Sequence, residues 1–327
     1  MERFVFIAAI TVAIIYGLAV MIDGPDHVGF HFDSGSASPV VETAPGRLEA
    51  QTYAARSILI EGAAARLTVI PEDREDISVE IDNTPGRAPM PQVSVQDGLL
   101  RIDGQLRRRV EDCVAGGGVS LRGYGDFSAE ELPAITIRAP RALSLDLAGG
   151  GIAQIGPTQS LELDLKGCGE AEIADVEGEL DVDLAGSGTV RAGAARHLEA
   201  DVAGSGRLTA GVIADGADID IAGSGDVIIA SLTGALNTDG AGAGTIVVES
   251  GALTRLNVDL AGSGDIRITA PVERINADIM GSGSVRVDGV VGDIDADIAG
   301  SGTLRVQSVT GSVRQQTLGS GEVRIGE

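Results

Sequence analysis

Residues 180–191 read LDVDLAGSGTVR, and residues 294–305 repeat the pattern as IDADIAGSGTLR. In both stretches apolar and polar residues alternate on each side of a Gly-Ser-Gly triplet. A period of two is typical of a β-strand that buries one face and exposes the other. The pattern therefore predicts two short strands that meet at a glycine corner.

The Gly-x-Gly triplet recurs ten times, and successive first glycines are 18 to 20 residues apart. A unit of this length cannot bury its apolar face alone, so neighbouring units stack into a solenoid. The predicted fold class is all-β, a right-handed parallel β-helix (β-solenoid) with coils of about 19 residues over residues 146–327, because parallel crossovers are right-handed. The first glycines of the triplets are Gly149, Gly167, Gly186, Gly204, Gly223, Gly242, Gly262, Gly281, Gly300 and Gly319.

The composition indicates a narrow interior. Aromatic residues make up only 2% of the chain, and all eight lie within the first 127 residues. Alanines at the expected inward positions Ala200, Ala277 and Ala296 leave little room between the strands. A sandwich or doubly wound domain needs larger side chains, and a hydrophobic content of 43% excludes disorder.

The N-terminal part of the chain is organised differently. Residues 4–22 contain no charged residue and are long enough to cross a membrane as one hydrophobic helix. Residues 1–22 are therefore either an uncleaved signal anchor or a cleaved signal peptide, and both alternatives stay open. Both place the rest of the chain outside the cytoplasm, either anchored in the inner membrane and facing the periplasm or secreted to the periplasm or cell surface.

Two further segments precede the repeats. Residues 23–46 are rich in Gly, Ser and Pro, which predicts a flexible linker. Residues 47–145 alternate less regularly, and we expect an irregular β cap or longer first coils there. The run of arginines Arg107, Arg108 and Arg109 is expected to be a solvated loop within this region.

The net charge limits the partners. The chain has 24 basic and 48 acidic residues, a formal charge of -24. Nucleic acids and anionic lipid surfaces both require a basic surface, so we predict no nucleic-acid partner and a membrane association only through residues 4–22.

An acidic residue stands three positions before nine of the ten triplets, and Gln316 replaces it before the last. If the coils are in register, these side chains lie about 4.8 Å apart, where like charges repel. Either the carboxylates are solvated and hydrogen-bonded to turn amides, or they form a cation-binding stripe for Ca²⁺. The candidate cation ligands are Asp183, Asp201, Asp220, Asp259, Asp278 and Asp297.

Arginines collect at outward positions of the second strand of the repeat. They predict a solvated face or, as the alternative, a binding face for an anionic glycan. No catalytic residue and no further cofactor are predicted. The arginines are Arg191, Arg267, Arg286, Arg305 and Arg324.

Cys113 and Cys168 are the only two cysteines. In an exported chain such a pair predicts a disulfide, which would join the irregular region to the second coil.

Residues 132–140 (LPAITIRAP), residues 145–148 (LDLA) and the later DLAGSG units resemble a bacterial family, the putative auto-transporter adhesin, head GIN domain proteins. The resemblance covers residues 50–327. It implies a β-helical, extracytoplasmic domain behind an N-terminal export segment, and it brings no catalytic residues.

The uniform repeat favours a non-enzymatic envelope protein, adhesin-like or a structural rod, that binds a surface glycan or another envelope protein. One alternative is a β-helical polysaccharide lyase or hydrolase, although the near-constant spacing leaves no room for the long loops that carry such sites. The other alternative is an assembly or sensor partner in the envelope, because solenoids expose long surfaces.

Overall fold

The computed structural model describes residues 40–326, which form strands with a single short 3₁₀ turn at Ala129–Glu131. The predicted N-terminal helix and most of the predicted linker lie outside these residues. Within the described range, no helix is long and apolar enough to cross a membrane. The strands before the repeats are β1 (Gly46–Tyr53), β2 (Ser57–Glu72), β3 (Ile77–Asn83), β4 (Gln92–Gln96), β5 (Leu99–Asp103), β6 (Val110–Val114), β7 (Gly118–Leu121), β8 (Gly125–Phe127) and β9 (Ala134–Pro140).

The repeat region consists of strands that pair in parallel with their counterparts one coil later, and this confirms the predicted β-solenoid of about 10 turns with about 19 residues in each. The first half of these strands are β10 (Ala142–Ile155), β11 (Ser160–Gly167), β12 (Glu170–Ile173), β13 (Glu179–Gly186), β14 (Thr189–Ala192), β15 (His197–Gly204), β16 (Arg207–Ile213) and β17 (Ala217–Gly223). The second half are β18 (Asp226–Gly242), β19 (Thr245–Val248), β20 (Gly251–Gly262), β21 (Asp265–Ile268), β22 (Val272–Gly281), β23 (Ser284–Gly300), β24 (Thr303–Val309), β25 (Val313–Gly319) and β26 (Glu322–Ile325).

Each coil has two principal faces that meet at a triplet. The strand segments before the triplets stack into what we call the first face, as where β11 pairs with β13 and β13 with β15. The segments after the triplets stack into the second face, as where β12 pairs with β14 and β14 with β16. A shorter third side closes the coil, where Thr158 pairs with Val176 and Ala195 with Ile213.

The first glycine of the triplet is required by the corner itself. Gly186 has φ of 124°, a conformation that L side chains rarely adopt. A Cβ atom on Gly186 would lie 2.4 Å from the carbonyl oxygen of Gly167 in the coil before. Only glycine therefore allows successive corners to stack directly on one another.

A single apolar core runs through the coils, from Ile58 near the start to Val306 near the end. Alternate residues of each strand point into it, so that Leu163 and Val182, which are paired on adjacent coils, have no exposed surface. The three alanines expected inside, Ala200, Ala277 and Ala296, are all buried. These small side chains match the narrow interior that the composition predicted.

The parallel stack begins before the first Gly-x-Gly triplet. β2 pairs in parallel with β10 along both faces, and β5 and β9 pair in parallel with the two ends of β2. The strands beyond these are antiparallel, because β4 pairs with β5, β3 with β9 and β1 with β3. The region before the repeats thus contributes coils of its own, followed by antiparallel strands on their outer edges.

Strands β6, β7 and β8 form a separate small antiparallel sheet with its own apolar cluster, which includes Val119 and Phe127. This sheet covers the first corner, since a Cβ atom on Gly150 would lie 3.0 Å from the Cys113 sulfur and 3.4 Å from Val119. We refer to β6–β8 as the cap sheet.

The arginine run forms a turn in which Arg107 and Arg108 are exposed, as predicted, but the prediction of a solvated loop was wrong for Arg109. Arg109 is only 6% exposed, its guanidinium lies over the ring of Tyr124, and it donates a hydrogen bond of 2.7 Å to the carbonyl oxygen of Arg122. Arg107 forms an ion pair of 2.6 Å with the buried carboxylate of Glu61. The run is ordered because its charges neutralise or bridge groups of the first coil and the cap sheet.

Candidate binding surfaces of the solenoid

The predicted acidic stripe lies on the first face as an uninterrupted row. Each of its members is half-buried and stands directly opposite the next one on the adjacent coil. The row ends at Leu59 on one side and at Gln316 on the other. We call it the aspartate ladder; its members are Asp146, Asp164, Asp183, Asp201, Asp220, Asp239, Asp259, Asp278 and Asp297.

At one end of the ladder the carboxyl groups are hydrogen-bonded to one another, and their pKa values are shifted in opposite directions. Burial, a hydrogen bond to Asp164 and repulsion from its charge raise the pKa of Asp146 to about 7 and that of Asp183 to about 8. Burial also acts on Asp164, but hydrogen bonds from Asp146, Lys166 and Asp183 outweigh it and lower the pKa of Asp164. The Nζ atom of Lys166 lies 2.9 Å from Asp164 and 3.5 Å from Asp146. Below about pH 7 an ionised Asp164 is therefore held between two mostly protonated neighbours and Lys166.

The same effect extends along the row. Burial and repulsion from Asp239 and Asp201 raise the pKa of Asp220 to about 7, and burial with repulsion from Asp239 raises that of Asp259 to about 6. Burial also raises the pKa of Asp201 and Asp239, although each accepts a hydrogen bond from a neighbour in the ladder. Near neutral pH the ladder consequently carries fewer charges than it has carboxyl groups.

A second polar row runs beside the ladder, two residues earlier on each strand. In its middle the side-chain amides form a continuous chain of hydrogen bonds: Asn276 donates to Asn257 (2.8 Å), Asn257 to Asn237 (2.6 Å) and Asn237 to Asp218 (2.5 Å). At the earlier coils acids replace the amides, and burial together with repulsion from Glu199 raises the pKa of Asp181 to about 6. In this row the side-chain amides thus donate the hydrogen bonds that carboxyl groups can donate only when they are protonated.

The six aspartates predicted as cation ligands all lie in the ladder, one on each coil. In the described part of the chain, no group of three or more His, Cys, Asp or Glu residues is positioned to hold a metal ion. The binding of Ca²⁺ at these residues stays a prediction.

The second face carries four arginines in register on successive coils, which we call the arginine row: Arg267, Arg286, Arg305 and Arg324. The fifth predicted arginine, Arg191, lies in the same row but is separated from them by Thr209, Ile228 and Val247.

Three acids, Asp265, Asp288 and Glu322, stand beside the four arginines of the row. Asp288 lies 3.2 Å from Arg267 and 2.7 Å from Arg286, and Glu322 pairs with Arg324. Asp288 and the hydroxyl groups of Ser284 and Thr303, which stand beside the row, were not predicted from the sequence. The only available signal was their position two residues from an arginine on the same strand, which places them on the same face.

Cys113 and Cys168 are joined by a disulfide with a Cα–Cα distance of 5.6 Å. Next to it, the backbone N–H of Gly116 donates a hydrogen bond of 2.9 Å to Glu170. Both contacts attach the cap sheet to the corner of the second repeat. This part of the solenoid is therefore covered, whereas the polar rows of later coils face solvent.

Comparison with known proteins identifies the family. The model for "Putative auto-transporter adhesin, head GIN domain" matches residues 57–248 and 232–326, which include the whole coiled region. The chain belongs to this family. The resemblance seen in the repeat motifs is thereby confirmed.

Several solved structures match the chain over most of its length. A putative adhesin from Parabacteroides distasonis is 13% identical, with a TM-score of 0.42, and the match covers 87% of this chain and 98% of the other. A putative lipid binding protein from the same species is 18% identical (TM-score 0.38; 88% and 99% covered). A putative adhesin from Parabacteroides merdae is 15% identical (TM-score 0.33; 85% and 96% covered). No curated protein matches the chain.

Proposed function

We propose that this member of the adhesin family is a non-enzymatic envelope protein whose solenoid acts outside the cytoplasm as an adhesin-like rod and binding surface. The observation that carries the proposal is that the family model spans the coiled region from residue 57 to residue 326. At about 4.8 Å per coil, ten coils form a rod on the order of 50 Å long. The hydrophobic residues 4–22 would export it and either anchor it or be removed.

The repeated surface suits a repeated ligand. Each coil presents the same outward positions, so that a linear polymer could contact several coils with equivalent groups. We propose a surface glycan as the partner, with another envelope protein as the alternative. A pull-down from crosslinked envelope fractions would recover a stoichiometric protein partner in the second case only.

An attachment assay tests the proposed function. A strain that lacks the protein is compared with the same strain complemented by the full-length chain, and cell adhesion to glycan-coated surfaces and envelope integrity are both measured. We expect the deletion to reduce attachment and complementation to restore it, with the protein recovered in the envelope fraction. Recovery in the cytoplasm, or unchanged attachment and integrity in the deletion strain, would contradict the proposal.

The second candidate is a polysaccharide hydrolase or lyase. Asp183, with its raised pKa, and Asp164, with its lowered pKa, stand on adjacent coils, but they are hydrogen-bonded to each other, whereas a glycosidase holds its acid and its carboxylate about 5 Å or more apart on either side of the scissile bond. Turnover of pectin, alginate or a related acidic glycan that disappears in Asp183→Asn would establish this candidate. Absence of turnover across such substrates leaves the non-enzymatic function.

A further inference from the structure

We propose that Ser284, Arg286, Thr303 and Arg305 form a binding site for an acidic polysaccharide; this inference rests on the proposed function and assigns its ligand class. The four side chains occupy two adjacent coils of the second face. Ser284 stands opposite Thr303, and Arg286 stands opposite Arg305. All four alternate with buried core residues and are partly exposed, so that they project from the same surface. Their backbone positions form a square of two arginines and two residues with hydroxyl groups.

The positive charges around this square favour the binding of an anion. Like charges directly opposite each other on neighbouring strands destabilise a sheet, yet four arginines follow one another here. Asp288 pairs with Arg286, and Glu322 on the next coil attracts Arg305 but forms its ion pair with Arg324. In the row beside the arginines, the acids Asp265 and Glu322 occupy the outer coils and hydroxyl groups occupy the middle two. The middle of the arginine row is therefore the part richest in donors.

The chemistry of these donors selects an oxyanion. Guanidinium groups bind carboxylates and sulfates through two parallel hydrogen bonds, and this geometry adds specificity to the charge attraction. Ser284 and Thr303 can both donate to and accept from the hydroxyl groups of a sugar. At the adjacent corners Ser282 and Ser301 expose two further hydroxyl groups. A chain of sugars with one carboxylate or sulfate per residue would meet guanidinium and hydroxyl groups alternately.

The rest of the molecule argues against other polyanions. With a net charge of -24 and the aspartate ladder on the first face, the protein repels dense negative charge. Nucleic acid and anionic membranes require a broad basic surface, whereas the arginine row is one residue wide. A single polysaccharide strand whose anions alternate with sugar hydroxyl groups fits this narrow row.

Binding is measured with the full-length chain and four charged probes: oligogalacturonate for carboxylates, a κ-carrageenan oligosaccharide for sulfates, a single-stranded DNA oligonucleotide and phosphatidylglycerol vesicles. Neutral dextran is the uncharged control. We expect at least one acidic oligosaccharide to bind more tightly than DNA and vesicles, and the two saccharides together tell which oxyanion is preferred. Binding of neither saccharide, or tighter binding of DNA or vesicles, would overturn the proposal.

The site is located with matched charge variants. The double variant Arg286→Gln/Arg305→Gln should weaken saccharide binding about tenfold or more, the equivalent of about 1.4 kcal/mol. The control Arg191→Gln/Arg207→Gln removes the same charge from two exposed arginines on earlier coils of the same face and should bind like the wild type. Equal weakening in both double variants would show non-specific attraction and would overturn the site.

A third variant is expected to strengthen saccharide binding, an effect that misfolding cannot produce. Asp288 competes with a bound anion for Arg286 and repels it, so Asp288→Asn should tighten saccharide binding about threefold or more. Unchanged or weaker binding by this variant would contradict the site. If cells carrying Arg286→Gln/Arg305→Gln still attach normally, the site is refuted while the adhesin-like function stands.

Discussion

Asp164 and Asp183 stand directly opposite each other on adjacent coils and share a hydrogen bond that requires a proton on one of them. The pair resolves the repulsion that the sequence implied, because one carboxyl group keeps its proton near neutral pH. Asp146 and Asp220 also have pKa values of about 7, raised first of all by burial. The aspartate ladder is thus stabilised by protons that bind more tightly to the folded than to the unfolded chain.

We predict that the protein is more stable at about pH 5 than at about pH 8. Carboxyl groups with folded-state pKa values of about 6 to 8 bind more protons than unfolded ones between about pH 4 and pH 8. Their contribution is therefore present at the lower pH and is lost as the pH rises through the folded-state values. Thermal unfolding should show a Tm several degrees higher at about pH 5, and high salt should remove only the part of this difference that comes from repulsion between the carboxylates.

The variant Asp183→Asn tests whether the aspartate ladder causes this pH dependence of stability. An amide donates at any pH the hydrogen bond that the Asp183 carboxyl group loses on ionisation, as in the neighbouring chain of asparagines. The variant should raise the Tm at about pH 8 and flatten the pH dependence. Asp73→Asn, at an exposed bend, is the control and should follow the wild type. A pH dependence that is identical in Asp183→Asn and the wild type would disprove the assignment.

The fold of the repeat region could be predicted from the sequence because glycine marks every corner. A triplet such as Gly186-Ser187-Gly188 fixes where a strand ends, and the alternation then assigns each neighbour to the core or the surface. The in-register row of aspartates could be predicted from the constant spacing of the triplets. The pKa values of these aspartates could not be predicted, since they depend on how far each carboxyl group is buried and on which neighbour keeps the proton.

The region before the repeats was harder to predict because its contacts are distant in sequence. β2 belongs to the same stack as β10 but has no Gly-x-Gly triplet at its corner. Arg107, in the turn between β5 and β6, forms an ion pair with Glu61 of β2, and Arg109 is buried against Tyr124. A run of arginines looks solvated until its partners are known, and only the three-dimensional structure supplies them.

A methyl group at the first glycine of a corner should destabilise the solenoid. In Gly186→Ala the new Cβ would approach the Gly167 carbonyl oxygen to 2.4 Å, and φ would stay in a region that alanine avoids. We expect a loss of about 1–3 kcal/mol in the free energy of unfolding, measured with urea. Ser187→Ala, at the exposed position between the two glycines, should change it by less than about 0.5 kcal/mol. Equal stability of Gly186→Ala and the wild type would argue against the stacked corner.

The narrow core should not accept a larger side chain at an inward alanine. Ala200 is fully buried and stands between Val182 and Ile219 on the adjacent coils, so Ala200→Leu should cost about 1–3 kcal/mol. The matched control is Ala203→Met on the outer side of the same strand, in the row where Met280 already occurs. The control should unfold like the wild type in urea. A stable Ala200→Leu variant would mean that the interior is wider than the packing of these three residues indicates.

The bond between Cys113 and Cys168 should hold the cap sheet on the solenoid. Mass spectrometry of the unreduced protein should detect the two cysteines in one linked peptide. Reduction should lower the free energy of unfolding by about 2–5 kcal/mol, because the bond closes a loop of 55 residues in the unfolded chain. Cys113→Ser/Cys168→Ser should match the reduced wild type and be insensitive to reductant. Two free thiols in the purified protein would refute the pairing, and a reduced form as stable as the oxidised one would show that the cap sheet is held by its apolar contacts alone.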